Sequence, residues 1–540
     1  MHKKRILMCA ESSHIDSGFG NYTKSILSRL YASNKYEIAE LSAYRNAGTP
    51  KTEPWKIYPN APTDKDTLEK FSTNPANTFG AWGFERACLD FKPDIVFDVR
   101  DYWMSNFVEL SAVRPYVHWF LAPTIDSAPQ KNQWLQTFSN ADTLSAHTQW
   151  GIDYLASTGM KVNLVEPVND AVDTDKFNIG QAKETHKKTL GLPTDSYVIG
   201  SIMRNQKRKL IPNLIKIMSR ISKETPKAVL YLHSSYPDLN GWDIPKLLIE
   251  HDVYDKVYFS YRCQKCKKFF ASKFIEIPAG CKHCNNNTAS LCSVANGLSD
   301  TELSYVINSF DIYVQYAICE GFGIPPVEAA ACGVPVITID HGAMREVGDN
   351  IGADIVPVAA IFRELETDAD RVNPDDNYCA NLLIQKYNEY QKMSFVDKMK
   401  QAETIREKLI NAYSWDKTAA AFERIFDNIE LTGKQGKWDS APQMPQPEVK
   451  VPPLPSKRQV INFIIDHVVN YPELKNVGNI QDVIKCLDLG YINHNGKVQK
   501  FDMPEALKSF ENIMHARGFW EQARIGNASM PEITKYVVEY

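Results

Sequence analysis

Short apolar runs repeat along the first 430 residues, each followed by a polar stretch and then by apolar positions at helical spacing. Residues 5–10, RILMCA, open the series. ESSHIDSGFGNYT and SILSRLYAS follow, a predicted strand, loop and helix. DIVFDV (94–99), PYVHWFLAP, DTLSAH and NLVEPV predict further short strands, with QWGIDYLAST as a helix among them. A second cycle starts at 197. YVIGSIM predicts a strand, RNQKRK a polar turn and LIPNLIKIMSRIS an amphipathic helix. AVLYLHS, KVYFSYR, DIYVQYA, PVITID and ADIVPV continue the strands, with TELSYVINSF and PPVEAAAC as helices. Strands that alternate with helices predict parallel sheets covered on both faces. The expected fold class is therefore α/β, with two successive doubly wound, Rossmann-like domains at 1–180 and 181–400. Helices over 401–431 complete this part of the chain.

The pattern changes at 432. Residues 432–457, TGKQGKWDSAPQMPQPEVKVPPLPSK, are rich in Pro, Lys and Gly and predict an extended linker. Beyond it, 458–540 has helix-type spacing in VINFIIDHVVN, IQDVIKCLDLG and PEALKSFENIMHARGF. This predicts a small helical C-terminal module suited to docking or homo-oligomerisation.

Composition adds limits. The chain has 540 residues, 44% of them hydrophobic and 23% charged, enough for several ordinary cores. A net charge of -4 gives no global basic field to draw in nucleic acid. The first apolar run is only about five residues long, short of a signal peptide or a membrane span. A soluble protein of the cytoplasm is expected, or of the host cytoplasm if viral. Cysteine is odd in number, at 11, and Cys9, Cys88, Cys319 and Cys332 sit in apolar or motif contexts that suit reduced thiols.

Three segments carry chemistry. CEGFGIPPVEAAACGVPVIT (319–338) places Glu320 and Glu328 with seven residues between them, among Gly321, Gly323 and two prolines. The glycines permit a tight turn and close approach of a ligand. Prolines are tolerated in the first helical turn, and the N–H groups around Gly323 and Ile324 would face an anion. Glu328, one turn further in, is placed to hold sugar or ribose hydroxyls. RNQKRK (204–209) ends the strand YVIGSIM, with Arg204 and Lys209 five apart at the start of a helix, where two cations oppose the helix dipole unless an anion sits between them. In SGFGNYT (17–23), Gly18 and Gly20 leave backbone room for a ligand at a strand-to-helix turn. The third glycine of a dinucleotide fingerprint is missing, which argues against NAD.

The 319–338 segment resembles the E-x7-E motif of the GT4 family of retaining glycosyltransferases, which have the two-domain GT-B fold. VDTDKF (172–177) and YSWDKTAAAFERIF (413–426) resemble two further family landmarks, so the resemblance covers roughly residues 4–430. A Pro-Ser pair usual before the first Glu is replaced here by QYAIC. The resemblance implies a nucleotide-sugar donor, UDP- or GDP-linked, and an acceptor hydroxyl on a glycan, small molecule or protein. It implies that Glu328 binds the donor ribose, that Glu320 lies beside the donor sugar, and that Arg204 and Lys209 neutralise the leaving diphosphate without a catalytic metal. Arg208 is an extra cation that some members share. Gly18, Gly20, Gly323 and Ile324 would border the donor. His118 lies near a family histidine that contacts the sugar, and Asp126 matches an acid of one subgroup; both join Glu320 as catalytic candidates. Arg100 and Asp101, just past DIVFDV, are expected near the ligand because such sheets bind outside the carboxyl ends of their strands.

One insertion departs from the family. Cys263, Cys266, Cys281 and Cys284 form C-x2-C-x14-C-x2-C over 262–286. This spacing is that of a zinc ribbon with four thiolates in a tetrahedron and no open position, hence a structural zinc. Lys265, Lys267, Lys268, Lys273 and Lys282 are mixed with Phe269, Phe270 and Phe274, a combination that single-stranded nucleic acid favours. Two alternatives therefore stand beside the sugar transferase: a glycosyltransferase acting on hydroxymethylated DNA in a viral context, and a non-catalytic GT-B scaffold that binds partners through the ribbon.

Overall fold

The computed structural model describes residues 3–442, apart from 16, 276–277 and 294–295, together with the backbone of 491–494 and 497–500. Residues 1–443 form one compact unit. It contains two facing α/β halves.

The first half is a seven-stranded sheet in the order β3-β2-β1-β4-β5-β6-β7. Its strands are β1 (Arg5–Glu11), β2 (Glu37–Asn46), β3 (Lys56–Ala61), β4 (Ile95–Val99), β5 (His118–Ala122), β6 (Thr143–Leu144) and β7 (Asn163–Leu164). All of its pairings are parallel. β1, β4 and β5 are buried along nearly their whole length, which is why they read as unbroken apolar runs. β2 and β3 have no counterpart in the sequence pattern. β2 reads as a mixed strand because Glu40, wholly buried, accepts from Ser13 N (3.0 Å), Ser13 Oγ (2.7 Å) and Trp55 Nε1 (2.9 Å).

The second half is an eight-stranded sheet, β11-β10-β9-β8-β13-β14-β15, with β12 also on β10. Its strands are β8 (Tyr197–Ile202), β9 (Ala228–His233), β10 (Val257–Cys263), β11 (Phe269–Lys273), β12 (Ala289–Leu291), β13 (Ile312–Val314), β14 (Val336–Ile339) and β15 (Asp354–Val356). The sheet is parallel except at its edge, where β11 and β12 run antiparallel to β10. The Ile211–Ile221 helix after β8 buries Leu214, Ile215, Ile217, Met218 and Ile221, the face its apolar spacing predicts. A hairpin of β16 (Val358–Glu364) and β17 (Ala369–Pro374), also absent from the sequence reading, extends from this half.

The chain then crosses back. Phe422 and Phe426 of the Trp415–Asn428 helix pack on Phe97 and Phe120 of the first sheet, with ring centroids 4.4–6.0 Å apart. The stretch after it is not an extended linker from 432 onward. Trp438 is buried, donates from Nε1 to Pro93 O (3.0 Å) and packs on Tyr116, while Gly436 N donates to Tyr116 O (2.9 Å). The expected linker beyond 442 and the helical module at 458–540 lie outside the described residues, except for an antiparallel hairpin of β18 (Tyr491–His494) and β19 (Lys497–Lys500). Among the described residues no helix is long and apolar enough to cross a membrane.

Candidate active site

β8 and β13 are neighbours in the second sheet, so the segments leaving their carboxyl ends lie side by side. They are zipped together by backbone bonds from Leu210 N to Tyr316 O (3.1 Å) and from Ile318 N to Arg208 O (3.0 Å). This brings the basic turn of 204–209 onto the acid at 320. Glu320, 7% exposed, is bound by Lys209 Nζ, by Arg208 Nη1 (2.9 Å) and by Gln315 Nε2 (2.8 Å). Burial alone would raise the Glu320 carboxyl. Lys209 and Arg208 outweigh it and hold the group at about 2. The carboxylate is thus ionised at neutral pH and faces two basic side chains, of which Lys209 has its own pKa lowered by burial against the pull of Glu320.

Arg204 does not join this cluster. Its side chain is exposed and its Nε meets Asp238 in the loop after β9, at 3.3 Å. Arg208, the extra cation of the sequence reading, is the arginine that meets Glu320. Gln315 gave no signal in the sequence; it is fixed by Tyr313 OH, which donates to its Oε1 (2.7 Å).

Gly323 has φ +94 and caps the Ile324–Ala331 helix, a conformation that favours glycine. Pro325 and Pro326 occupy the first turn, as their missing N–H groups allow. The side chain of Glu328, one turn in, has no hydrogen-bond or ion-pair partner among the described residues. Burial, reinforced by Asp300, raises its carboxyl to about 8.

The two halves meet over this site. A Cβ on Gly18 would lie 3.2 Å from Ile324 Cδ1, and one on Gly321 would lie 2.2 Å from Thr124 Cγ2. Gly20 serves a different end. Its Cβ would strike Ile15 O at 2.2 Å, so it closes the turn before the Gly18–Ala32 helix. Asp126 follows β5 at the cleft, where it pairs with Arg371 Nη1 of β17 (3.1 Å) and accepts from Ser127 Oγ (2.9 Å) and Cys319 Sγ (3.4 Å). Asp101, just past β4, is surrounded by Thr124, Asp126, His147 and Arg208, and burial raises its carboxyl. Arg100 is committed elsewhere, to Asp98 by two bonds of 2.6 and 2.9 Å.

His118 is not brought to the site. It opens β5 at the amino end of the sheet, opposite the cleft, and its Nε2 meets Thr143 Oγ1 at 2.9 Å. Burial lowers its pKa, which favours the neutral ring. The apolar residues on both sides of it hid where the strand begins.

The four cysteines of the insertion converge. Their sulfurs all lie within 4.8 Å of one another, with Cys263–Cys284 at 3.6 Å and Cys266–Cys281 at 3.7 Å. Thiolates around a tetrahedral zinc, with bonds of about 2.3 Å, stand about 3.8 Å apart. Backbone N–H groups point at two of them, Cys266 N to Cys263 Sγ (3.5 Å) and His283 N to Cys281 Sγ (3.3 Å). The donor set and its spacing fit a structural metal. The aromatic residues beside it do not form a surface for stacking bases. Phe270 and Phe274 are buried, Phe270 stacks on Tyr261 (5.7 Å), and Phe269 packs edge-on to Tyr305.

Comparison with known proteins fits this geometry. No curated protein matches the sequence. Residues 287–352, which hold Glu320 and Glu328, match the model of the family described as Glycosyl transferases group 1. Among solved structures, the chain is similar to a sucrose-phosphate synthase from Thermosynechococcus elongatus, at 15% identity and TM-score 0.54, over 79% of this chain and 98% of that one. A glycosyltransferase from Rickettsia africae gives 14% identity and TM-score 0.54, over 79% and 98%. HepE of Anabaena, in complex with UDP-glucose, gives 10% and 0.53, over 79% and 100%. The chain thus has the GT-B fold, two facing Rossmann-like units, and its second unit includes a segment matching Glycosyl transferases group 1.

Proposed function

We propose that the protein is a retaining glycosyltransferase of the GT4 type that moves a sugar from a nucleotide-sugar donor, UDP- or GDP-linked, to an acceptor hydroxyl. The observation that carries this reading is the Lys209–Arg208–Glu320 cluster at the carboxyl end of β13, followed by Glu328, whose side chain has no partner among the described residues, one turn into the next helix. A nucleoside diphosphate fits it: the diphosphate pairs with Lys209 and Arg208, and its ribose hydroxyls donate to Glu328. That a similar fold, HepE, is known with UDP-glucose supports this donor class.

In this mechanism Lys209 and Arg208 stabilise the charge that grows on the diphosphate as the glycosidic bond breaks. Arg204 swings from Asp238 to add a third contact, and the N–H groups at Gly323 and Ile324 face a phosphate oxygen. Glu320 positions the sugar. Asp126 and Asp101 line the acceptor side, and the acceptor hydroxyl attacks from the face the diphosphate leaves. Contact of the halves at Gly18–Ile324 and Thr124–Gly321 excludes water from the donor. Cys263, Cys266, Cys281 and Cys284 would hold a structural zinc that closes the ribbon and takes no part in the chemistry. The test is hydrolysis and transfer with a panel of UDP-, GDP- and ADP-sugars, wild type against Lys209→Ala and Glu320→Ala. Undiminished turnover in either variant overturns the assignment.

A further inference from the structure

The ribbon is planted at the carboxyl end of β10, whose last residue is Cys263. Carboxyl ends are where sheets of this kind carry their ligands. The residue before that cysteine, Arg262, turns away from the ribbon. Its Nη1 donates to Glu302 Oε2 (2.7 Å) and to Gly297 O (2.8 Å). Glu302 is not an ordinary surface acid. It is the third residue of the Asp300–Ile307 helix, and its Oε2 also accepts from Ser299 N (2.8 Å) and Ser299 Oγ (3.1 Å) in a reciprocal cap. One oxygen therefore ties the ribbon strand to the start of this helix.

That helix leads to the donor site. Its first residue, Asp300, is the charge that reinforces burial in raising the Glu328 carboxyl, and Lys176 Nζ fixes Asp300 at 2.8 Å. Ser304 Oγ, one turn on, meets Cys332 Sγ just past the end of the Ile324–Ala331 helix at 3.6 Å. Tyr305 of the same helix packs on Phe269 of the ribbon. The Asp300–Ile307 helix is thus held on one side by the ribbon and bears on the helix of Glu328 on the other.

We propose that Arg262 is a positioning residue through which the four-cysteine centre sets the affinity of the donor site for its nucleotide. Metal in the ribbon fixes the end of β10, Arg262 holds the cap of the Asp300–Ile307 helix, and this helix keeps Asp300 and Glu328 in register. Loss of the metal frees Arg262, loosens the cap and weakens ribose binding, so donor affinity follows metal occupancy. The proposal rests on Glu328 as the ribose acid and on the thiolates as a metal centre.

The experiment uses the full chain, loaded with zinc or stripped by a chelator, and reads UDP binding by calorimetry with zinc content measured alongside. Stripping is expected to weaken UDP binding by about fivefold to tenfold. Zinc-loaded Arg262→Met should keep its zinc, bind UDP as weakly as the stripped wild type, and lose nothing more on stripping. Arg262→Lys should recover part of the affinity. With donor sugar, KM should rise in Arg262→Met while kcat stays within about twofold. Hydrogen exchange without nucleotide should show lower protection over 299–307 and 324–331 in both the stripped wild type and the zinc-loaded variant. If stripping unfolds the chain, the zinc-loaded variant decides alone. Wild-type affinity and protection in Arg262→Met, or a full further loss when that variant is stripped, would overturn the link. Should the wild type bind none of UDP, GDP or ADP, the glycosyltransferase reading falls, and hydrogen exchange still decides whether ribbon and helix are joined.

Discussion

At the carboxyl end of β4, Arg100 turns back and clamps Asp98 two residues earlier; at the carboxyl end of β13, Glu320 is held by Lys209 and Arg208, which arrive from another strand. The two positions correspond, since β4 flanks β1 as β13 flanks β8 in sheets of the same order. Their electrostatics differ. Asp98 and Arg100 are 0% and 2% exposed at the side chain, neutral as a pair, and completed by Ser105 Oγ at 3.0 Å. Glu40 is likewise satisfied by Ser13 and Trp55. In the second half two basic side chains share one acid, Glu320, and the side chain of a second acid, Glu328, has no partner among the described residues. Satisfied charges specify a fold; unsatisfied ones beside a cleft specify a ligand.

The comparison breaks first at Arg100. Arg100→Ala leaves Asp98 charged, buried and held only by Ser105, so chemical denaturation should show a loss of about 3–5 kcal/mol. If the loss is under about 1 kcal/mol, as for an exposed pair, the first half is not the closed one. Lys209→Ala should do the opposite. Glu320 retains Arg208 and Gln315, so the fold survives, while kcat/KM for sugar transfer falls by about 10²–10³. A melting temperature that drops as far as that of Arg100→Ala would place both clusters in the same structural role.

The sequence told these halves apart unevenly, and the reasons are physical. Strands buried on both faces, such as β1, β8 and β13, are mostly apolar and could be read directly. Glu320 and Glu328 stood out because glycine, proline and charge share a short turn, and Lys209 because two cations meet at the start of a helix. The cysteines were legible because each pair must reach a single point within two intervening residues. Direction was not legible. Arg204 and Arg208 lie on one turn, and only the fold shows that Asp238 takes the first and Glu320 the second. His118 failed for a similar reason, since an apolar run with a histidine inside it does not show where the strand starts. The hairpin β16–β17 was missed because β16 is exposed over most of its length and has no buried face to pattern. Trp438 was missed because its neighbours are linker-like and its partners, Pro93 and Tyr116, are more than 300 residues away.

Contact between the halves gives a smaller effect. Gly321→Ala would set a methyl 2.2 Å from Thr124 Cγ2, which must move. Overpacking of this kind costs about 1–3 kcal/mol. Because it acts across the cleft, donor KM should rise more than the melting temperature falls. An unchanged KM would mean that the halves need not touch there for the donor to bind.

The smallest effect is a proton. Burial, with Asp300, raises Glu328 from 4.5 to about 8, whereas the cations hold Glu320 at about 2. For Glu328 the native state keeps a proton that the unfolded chain has lost. Its share of stability is therefore full below the unfolded value and declines as pH rises towards 8. Wild type should lose stability relative to Glu328→Gln between pH 5 and pH 9, by about 1–3 kcal/mol at most. Glu320 exchanges no proton over this range. Nucleotide binding makes the same distinction. Ribose hydroxyls that donate to Glu328 favour its ionised form, so UDP binding at pH 7 should release up to one proton, and affinity should rise with pH up to about 8. Calorimetry in buffers of different ionisation heat measures that release directly. If Glu328→Gln releases the same number of protons as wild type, the acid that titrates lies elsewhere in the cleft, and Asp101, also raised by burial, is the next to replace.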